Sequence, residues 1–272
     1  MITDAKHYPI STLLDIEQRV IYTIPRYQRE YTWNRAQWDA LLDDLLENEP
    51  QYFLGSIICI NQSKDALDVQ SLELVDGQQR MTTLSLLLAA IYSCFKQLPN
   101  LNMDHTIELY NLKHKLVLKK VPDQTRLIPQ VQNHNQQDYF TVLGQIGILE
   151  DVETMPHAGN RRVVRAFRHF ESRIQQYLDS EERPIEAIQN LLEKVNTATL
   201  VKIEVAGHSD AYTLFESLNN RGVPLTAVDL IKNKLLAKLE SQQKGSIDKH
   251  YNRWKKVMEA LGDDYAVQER FF

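Results

Sequence analysis

The chain has 272 residues, of which 43% are hydrophobic and 25% charged, as in ordinary globular proteins, and this excludes disordered and collagen-like chains. There are 31 Lys and Arg against 36 Asp and Glu, so the net charge is −5, whereas a protein that coats DNA is normally basic. Any contact with nucleic acid must therefore come from a local patch. The two cysteines are too few for a disulfide scaffold or a cysteine-based zinc cluster.

The sequence contains no apolar run of the roughly 20 residues that a membrane span needs, and residues 1–15 lack the apolar core of a secretory signal. These features predict a cytoplasmic protein with no membrane partner. The sequence also lacks the GxxxxGK[ST], GxGxxG, HExxH and GxSxG patterns, which excludes an ordinary P-loop, a dinucleotide fingerprint, a zincin site and a hydrolase elbow.

The first hundred residues predict a mixed α/β unit. β-branched and apolar runs of strand length alternate with leucine-rich stretches at helical spacing, and Pro25 stops the first strand. In chain order we expect a strand over 20–24, a helix over 35–47 capped by Asn34, strands over 52–60 and 72–75, and a helix over 78–97.

From about residue 101 the hydrophobic periodicity is mostly helical. Helices are expected over 106–120, 133–143, 160–179, 184–196, 209–219, 226–241 and 247–261. One alternating stretch, 199–205, predicts a strand that returns to the N-terminal sheet. We therefore predict an α+β fold, with a small mixed sheet in a first domain (1–100) and a mainly helical second domain (101–272).

The segment DGQQR, from Asp76 to Arg80, lies where a predicted strand turns into a helix. A helix N-terminus offers free N–H groups and a positive pole, which suit phosphate. Gly77 lets a ligand approach the backbone, Arg80 can grip phosphate oxygens, and Asp76 can hold a metal ion or orient water. The same residues also fit a capping box, with Asp76 as the cap and Gln79 bonding back to it.

A second segment, IPRYQREYTW over 24–33, places two arginines and three aromatic residues after a strand. Cations and flat rings suit phosphate contacts and base stacking. The alternative is a structural loop, in which Tyr31 and Trp33 enter the core and Arg29 pairs with Glu30.

Two further segments allow either a functional or a structural interpretation. Gly222 and Pro224 are typical of a helix hairpin that needs no ligand, but the polar side chains nearby can also support a site. These supporting candidates are Asn219, Arg221, Asp229 and Lys232. Three arginines at helical spacing can contact DNA phosphates or form a solvated face. They are Arg161, Arg165 and Arg168.

Four motifs together resemble the N-terminal domain of GmrSD-type restriction endonucleases over about residues 10–236. In order, they are IPRYQREYTW, FLGSI, LVDGQQRMTTL and FESLNNRGVPLTAVDLIKN. The resemblance implies a ParB/sulfiredoxin-like fold and catalytic roles for Asp76, Gln79 and Arg80. It also implies a set of nucleotide-binding residues: Gly77, Gln78, Arg26, Tyr27, Gln28 and Arg29.

The function implied by this resemblance is an NTPase sensor in a restriction system that responds to modified DNA. GTP or ATP would be the nucleotide, with Mg²⁺ held by Asp76, and the partners would be DNA and a nuclease domain or subunit. The sequence is also compatible with a homo-oligomer. Because the chain ends without a paired-histidine nuclease motif, we expect a fragment of a longer protein. The alternatives are a switch that binds nucleotide or DNA backbone without hydrolysis, and a scaffold.

Overall fold

A computed structural model describes residues 2–25, 28–63, 69–121, 123–131, 134–152, 159, 161–208, 210–211 and 214–215, with single positions at 231, 235, 253, 254, 256, 257, 260, 261, 267, 270 and 271. In chain order its elements are β1 (Ile2–Pro9), α1 (Ile10–Leu13), β2 (Val20–Thr23), α2 (Arg35–Glu47), β3 (Phe53–Asn61), β4 (Gln70–Asp76), α3 (Gln78–Gln97), α4 (Met103–Leu116), β5 (Leu127–Ile128), α5 (Asn135–Gln145), α6 (Arg162–Asp179), α7 (Pro184–Thr197) and β6 (Thr199–Val205).

The strands form one mixed sheet in the order β1-β6-β3-β4-β2-β5. β3 pairs antiparallel with β4 and parallel with β6, while β2 pairs parallel with β4. The α+β prediction is therefore confirmed, as is the return of 199–205 to the sheet. Sequence reasoning missed β1, an exposed edge strand without a clear alternation, and β5, which has only two residues.

Local sequence signals predicted the bounds of most of the described helices to within a few residues. α2 begins after Asn34, which forms a capping box with Gln37, and α3 has the predicted bounds. The helix expected over 106–120 instead starts at Met103 and ends at Leu116, since a second capping box at Asn102 begins it earlier. The helices expected over 209–219, 226–241 and 247–261 fall mostly outside the described residues.

The hydrophobic core lies mainly between the sheet and the helices, with α3 at its centre. Leu87 of α3 belongs to the same buried cluster as Phe170 of α6 and Leu191 of α7. A smaller cluster, around Ile58 and Val75, lies apart from it. The predicted domains thus share a core, and the division at residue 100 stays a prediction. Among the described helices, none combines the length and the apolar character needed to cross a bilayer.

Candidate functional site

Gly77 makes the turn between β4 and α3. It is the N-cap residue of α3, and its φ of 83° lies in the left-handed region that favours glycine. A Cβ at this position would lie 2.5 Å from Cγ2 of Ile57 and 3.1 Å from the Ser56 carbonyl oxygen, so a larger residue would displace β3. The capping box considered for Asp76 and Gln79 is therefore wrong, because Asp76 ends β4 and does not cap the helix.

Arg80 lies in the first turn of α3 and reaches across to β3. Its Nη1 donates a 2.8 Å hydrogen bond to the Ser56 carbonyl oxygen. Its guanidinium covers Gly55, where a Cβ would lie 3.0 Å from the Arg80 Cζ, and where φ is 109°. Burial lowers the pKa of Arg80, and the neighbouring Asp76 charge opposes that shift. The two glycines thus let the sheet and the helix approach each other around one cation.

Asp76 places a carboxyl group beside that cation. Burial raises the pKa of Asp76, while the backbone N–H of Gly77 and the charges of Arg80 and Arg29 act in the opposite direction. On balance the pKa of Asp76 is raised, so its surroundings stabilise the ionised form less than water does. Such a carboxylate gains stabilisation from a bound cation or from a proton, which suits metal binding or proton transfer.

Gln79 fastens the 30–33 segment to the start of α3. Its Oε1 accepts hydrogen bonds from the backbone N–H groups of Thr32, at 2.7 Å, and Trp33, at 3.3 Å. Its Nε2 donates to the Glu30 carbonyl oxygen at 2.8 Å. The protein itself therefore uses both ends of this amide, and the catalytic role of Gln79 stays a prediction.

A chain of buried amides connects the site with α5. Gln28 Nε2 donates to the Val75 carbonyl oxygen at 2.9 Å, and Gln78 Nε2 donates to Gln28 Oε1 at 3.2 Å. Gln130 Nε2 donates to the Gln28 carbonyl oxygen at 3.0 Å, and Asn135 Nδ2 lies 3.4 Å from Gln130 Oε1. Sequence reasoning missed Gln130 and Asn135, because a single sequence does not distinguish a buried amide from an exposed one.

Arg29 has a guanidinium nitrogen, Nε, that is buried and has no hydrogen-bond partner among the described residues. The pairing of Arg29 with Glu30, considered in the structural alternative, stays a prediction. Arg29 lines a small cleft together with Gln78, Thr82 and Gln130. Because buried donors are almost always bonded, an oxygen of a ligand or of water is the expected partner for this nitrogen.

The aromatic residues of the loop anchor it to the core. The Tyr31 hydroxyl is 2.7 Å from Thr83 Oγ1 and accepts a 2.8 Å hydrogen bond from Trp38 Nε1. Tyr31 is 4% exposed, whereas Trp33 is half-buried and packs against the edge of the core. The anchoring expected of these rings is thus confirmed for Tyr31 and, in part, for Trp33.

The three arginines proposed as DNA contacts lie in different surroundings. Arg161 precedes α6, and its Nε is 3.3 Å from Oδ1 of Asp138, whose side chain is fully buried. Burial raises the pKa of Asp138, and the Arg161 charge opposes that shift. Arg165 and Arg168 are exposed on α6. Of the three proposed arginines, only Arg165 and Arg168 therefore present an exposed positive charge.

Some predicted site residues cannot be placed, and others were not singled out from the sequence. Six of the candidates lie outside the described residues: Arg26, Tyr27, Asn219, Arg221, Asp229 and Lys232. Conversely, Gly55 and Ser56 hold Arg80, although sequence reasoning mentioned them only within FLGSI. The available signal was a glycine inside an apolar strand, where another group often approaches closely.

Comparison with known proteins agrees with this grouping of motifs. The family model for the GmrSD restriction endonuclease N-terminal domain matches residues 10–236. No curated protein sequence matches the chain. The matched region covers most of the chain and includes every motif of the site just described. The chain therefore belongs to the GmrSD N-terminal domain family, a family of restriction-system modules.

Proposed function

We propose that this chain binds and hydrolyses a nucleoside triphosphate, GTP or ATP, and so controls DNA cleavage by a nuclease domain or subunit. The observation that carries the proposal is the corner where β4 meets α3. There, Gly77 leaves the backbone open beside a carboxylate, Asp76, and a fixed cation, Arg80. These are the components that phosphoryl transfer needs, since it depends on positioning and charge stabilisation.

The electrostatics of the corner favour a phosphate ligand. The first N–H groups of a helix have no partner within the helix, and the N-terminus of the 20-residue α3 carries the positive end of its dipole. Arg80 adds a full charge in the first turn, and Arg29 contributes a buried nitrogen that has no hydrogen-bond partner within the described ranges. A phosphate bound at this point would meet both kinds of donor.

Asp76 also fits a magnesium ion that a nucleotide brings with it. The described residues contain no group of three His, Cys, Asp or Glu that could hold a metal by themselves. Mg²⁺ commonly binds through one or two carboxylates and completes its shell with water and phosphate oxygens. Asp76 would be the protein ligand, and the ion would neutralise phosphate charge when bound.

A second function, binding without hydrolysis, has support from the hydrogen bonds. Arg80 already donates to Ser56, and Gln78 and Gln79 are bonded to the 28–33 loop. A nucleotide that displaced or reinforced these contacts would change the position of the loop. In that case the chain would act as a switch that reports nucleotide or DNA backbone to its nuclease partner.

The proposal also includes contact with DNA, a cytoplasmic location and possible self-association. Restriction requires contact with DNA, modified or unmodified, and the exposed Arg165 and Arg168 on α6 are the described candidates for phosphate contacts. We also propose that the protein acts in the cytoplasm. Self-association of the sensor remains compatible with the site, which is built from one chain.

A thermal-shift panel tests nucleotide binding. ATP, GTP, CTP and UTP are each added with Mg²⁺ to the wild type, to Arg80→Ala and to the exposed-site control Arg165→Ala. At a hundredfold excess over the dissociation constant, a bound nucleotide stabilises the native state by about 2.7 kcal/mol. We expect this rise for the wild type and the control, and its loss in Arg80→Ala. A wild type that responds to none of the four nucleotides would contradict the proposed site.

A further inference from the structure

A second cavity, separate from the nucleotide corner, is enclosed between α1, β2, α3, α4 and β5. Most of its wall is apolar, with contributions from Leu13, Met81 and Leu84. Two cationic side chains, Lys115 of α4 and Arg126 just before β5, also line it. The space has room for about one water-sized ligand. An apolar cavity with two cations is unusual, because burying a charge is costly unless the charge is paired.

Arg126 is 1% exposed, and its hydrogen bonds leave one nitrogen unused. Its Nε donates to the His114 carbonyl oxygen at 2.6 Å, and its Nη1 donates to the Gln18 carbonyl oxygen at 2.9 Å. Nη2 is buried without a hydrogen-bond partner in the described part of the chain. Two neutral carbonyl groups therefore orient the guanidinium, but they do not balance its charge.

Lys115 increases the local excess of positive charge. Burial lowers the pKa of Lys115, and the charge of Arg126 lowers it further. Asp15 opposes the shift at both cations, but burial outweighs it in each case. Across the described ranges neither Lys115 nor Arg126 forms an ion pair with a carboxylate. The cavity thus has an unused donor, and the single carboxylate that acts on both cations, Asp15, can balance only one of the two positive charges.

We propose that this cavity is a binding site for a small monatomic anion, with chloride as the physiological representative, held between Arg126 Nη2 and the Lys115 ammonium group. An anion supplies the charge that water lacks, and the apolar walls suit a weakly hydrated halide. The restricted space excludes polyatomic organic anions. The anion would pack against Met81, which directly follows the DGQQR motif in α3, and against Leu84, one turn later. The site does not depend on nucleotide hydrolysis.

The first test is thermal unfolding of the full chain in sodium chloride, sodium bromide and sodium gluconate at equal ionic strength. Gluconate is too large for the cavity, so it controls for charge screening. We expect a higher Tm in both halides than in gluconate. For a chain of this size, a fivefold to sixfold increase in the folded-to-unfolded ratio raises Tm by about 2–4 °C. Equal Tm values in the three salts would overturn the proposal.

The matched variants are Lys115→Met, which removes a cation from the cavity, and Lys113→Met, which removes one from the same helix but not from the cavity wall. The halide-specific rise should disappear in the first variant and persist in the second. Arg126 is not replaced, because its carbonyl contacts also support folding. A rise of equal size in Lys115→Met would contradict the assignment.

Crystals of the full chain grown in bromide locate the ion directly. The proposal predicts an anomalous-scattering peak between Arg126 Nη2 and Lys115 Nζ. Ordinary electron density at that position, without an anomalous signal, would identify a water molecule and overturn the proposal even if the Tm responded to halide.

Discussion

Two regions of this molecule are rich in charged residues, and the two differ in how the charged side chains are arranged and paired. At the β4–α3 corner, Asp76 and Arg80, from the two ends of the DGQQR segment, meet Arg29 of the preceding loop, and both arginines lower the pKa of Asp76 against the effect of burial. On α6, by contrast, the basic residues come from one segment. Arg161 pairs with Asp138, and Arg173 pairs with Asp39 of α2, so both arginines join elements together.

Charged groups that converge on one point are a better indicator of a site than a high local density of charge. The α6 segment has the higher density of arginines, but its pairs join α6 to neighbouring elements. The corner has fewer charges, and its geometry holds them where a strand ends, a helix begins and the backbone is open.

The largest expected effect is on turnover. Arg80→Ala removes the fixed cation of the corner, and the loss of one such charge-stabilising donor typically lowers kcat about 10²- to 10³-fold. Phosphate-release kinetics of this variant are compared with those of Arg165→Ala on α6, which should keep wild-type rates. Equal losses in both variants would remove the distinction between the two regions.

The second prediction concerns the open backbone. Gly77→Ala forces an alanine into the left-handed region and places its Cβ against Ile57, so it should destabilise the protein by at least about 2 kcal/mol. Gly207→Ala is the control, because nothing lies within 4 Å of its Cβ position. Denaturant unfolding measures both variants. Equal tolerance of alanine at the two glycines would show that β3 does not pack tightly against the turn at Gly77.

The third prediction separates the arginines of the α6 region. Arg161→Ala leaves the buried Asp138 carboxyl without its ion pair, which should cost about 1–3 kcal/mol. Arg165→Ala, at an exposed position, should stay within about 0.5 kcal/mol of the wild type. Thermal unfolding checks the order. A larger loss for Arg165 than for Arg161 would show that the ion pair does not hold this region together.

The smallest effect is a pH dependence of stability at Asp76. Because its pKa is raised above the ordinary value of 3.8, the folded state binds a proton more tightly than the unfolded state. The wild type therefore loses stability as the pH rises from about 4 through the raised pKa. Asp76→Asn does not titrate, so relative to the wild type it should gain stability over that interval and keep the gain at pH 7. Tm values from pH 4 to 8 measure the difference.

A matched carboxylate on α5, Asp138, controls this experiment. Burial also raises the pKa of Asp138, so Asp138→Asn should show a pH trend of the same sign. Only Asp76→Asn should lose turnover as well. If both variants kept full turnover, the carboxylate of Asp76 would have no role in the reaction.

Much of the fold could be predicted because its signals are local. Asn34 and the leucine spacing defined α2, and the apolar run before Asp76 defined β4. The edge strand β1 could not be recognised, since pairing with β6, nearly two hundred residues away, holds it in the sheet. Contacts of that kind leave no periodic signal in the exposed strand.

The site was predictable as a list of residues but not as an arrangement. The DGQQR motif indicated Asp76 and Arg80 by their position between a strand and a helix. The sequence did not reveal that Gln79 binds the backbone of the preceding loop, or that Arg80 rests on Gly55. Both contacts depend on how β3, β4 and the loop pack together, and single-residue chemistry does not fix that packing.

Release of inorganic phosphate by the full chain is the measurement that tests the central claim most directly. ATP and GTP are each supplied with Mg²⁺, with and without DNA. The variant Asp76→Asn, which lacks the carboxylate but keeps a side chain of the same size, is measured beside the wild type. The account predicts turnover by the wild type with at least one nucleotide, a rate that responds to DNA, and loss of that turnover in Asp76→Asn. Nucleotide binding without phosphate release under any of these conditions would contradict hydrolysis and leave the corner as a binding switch.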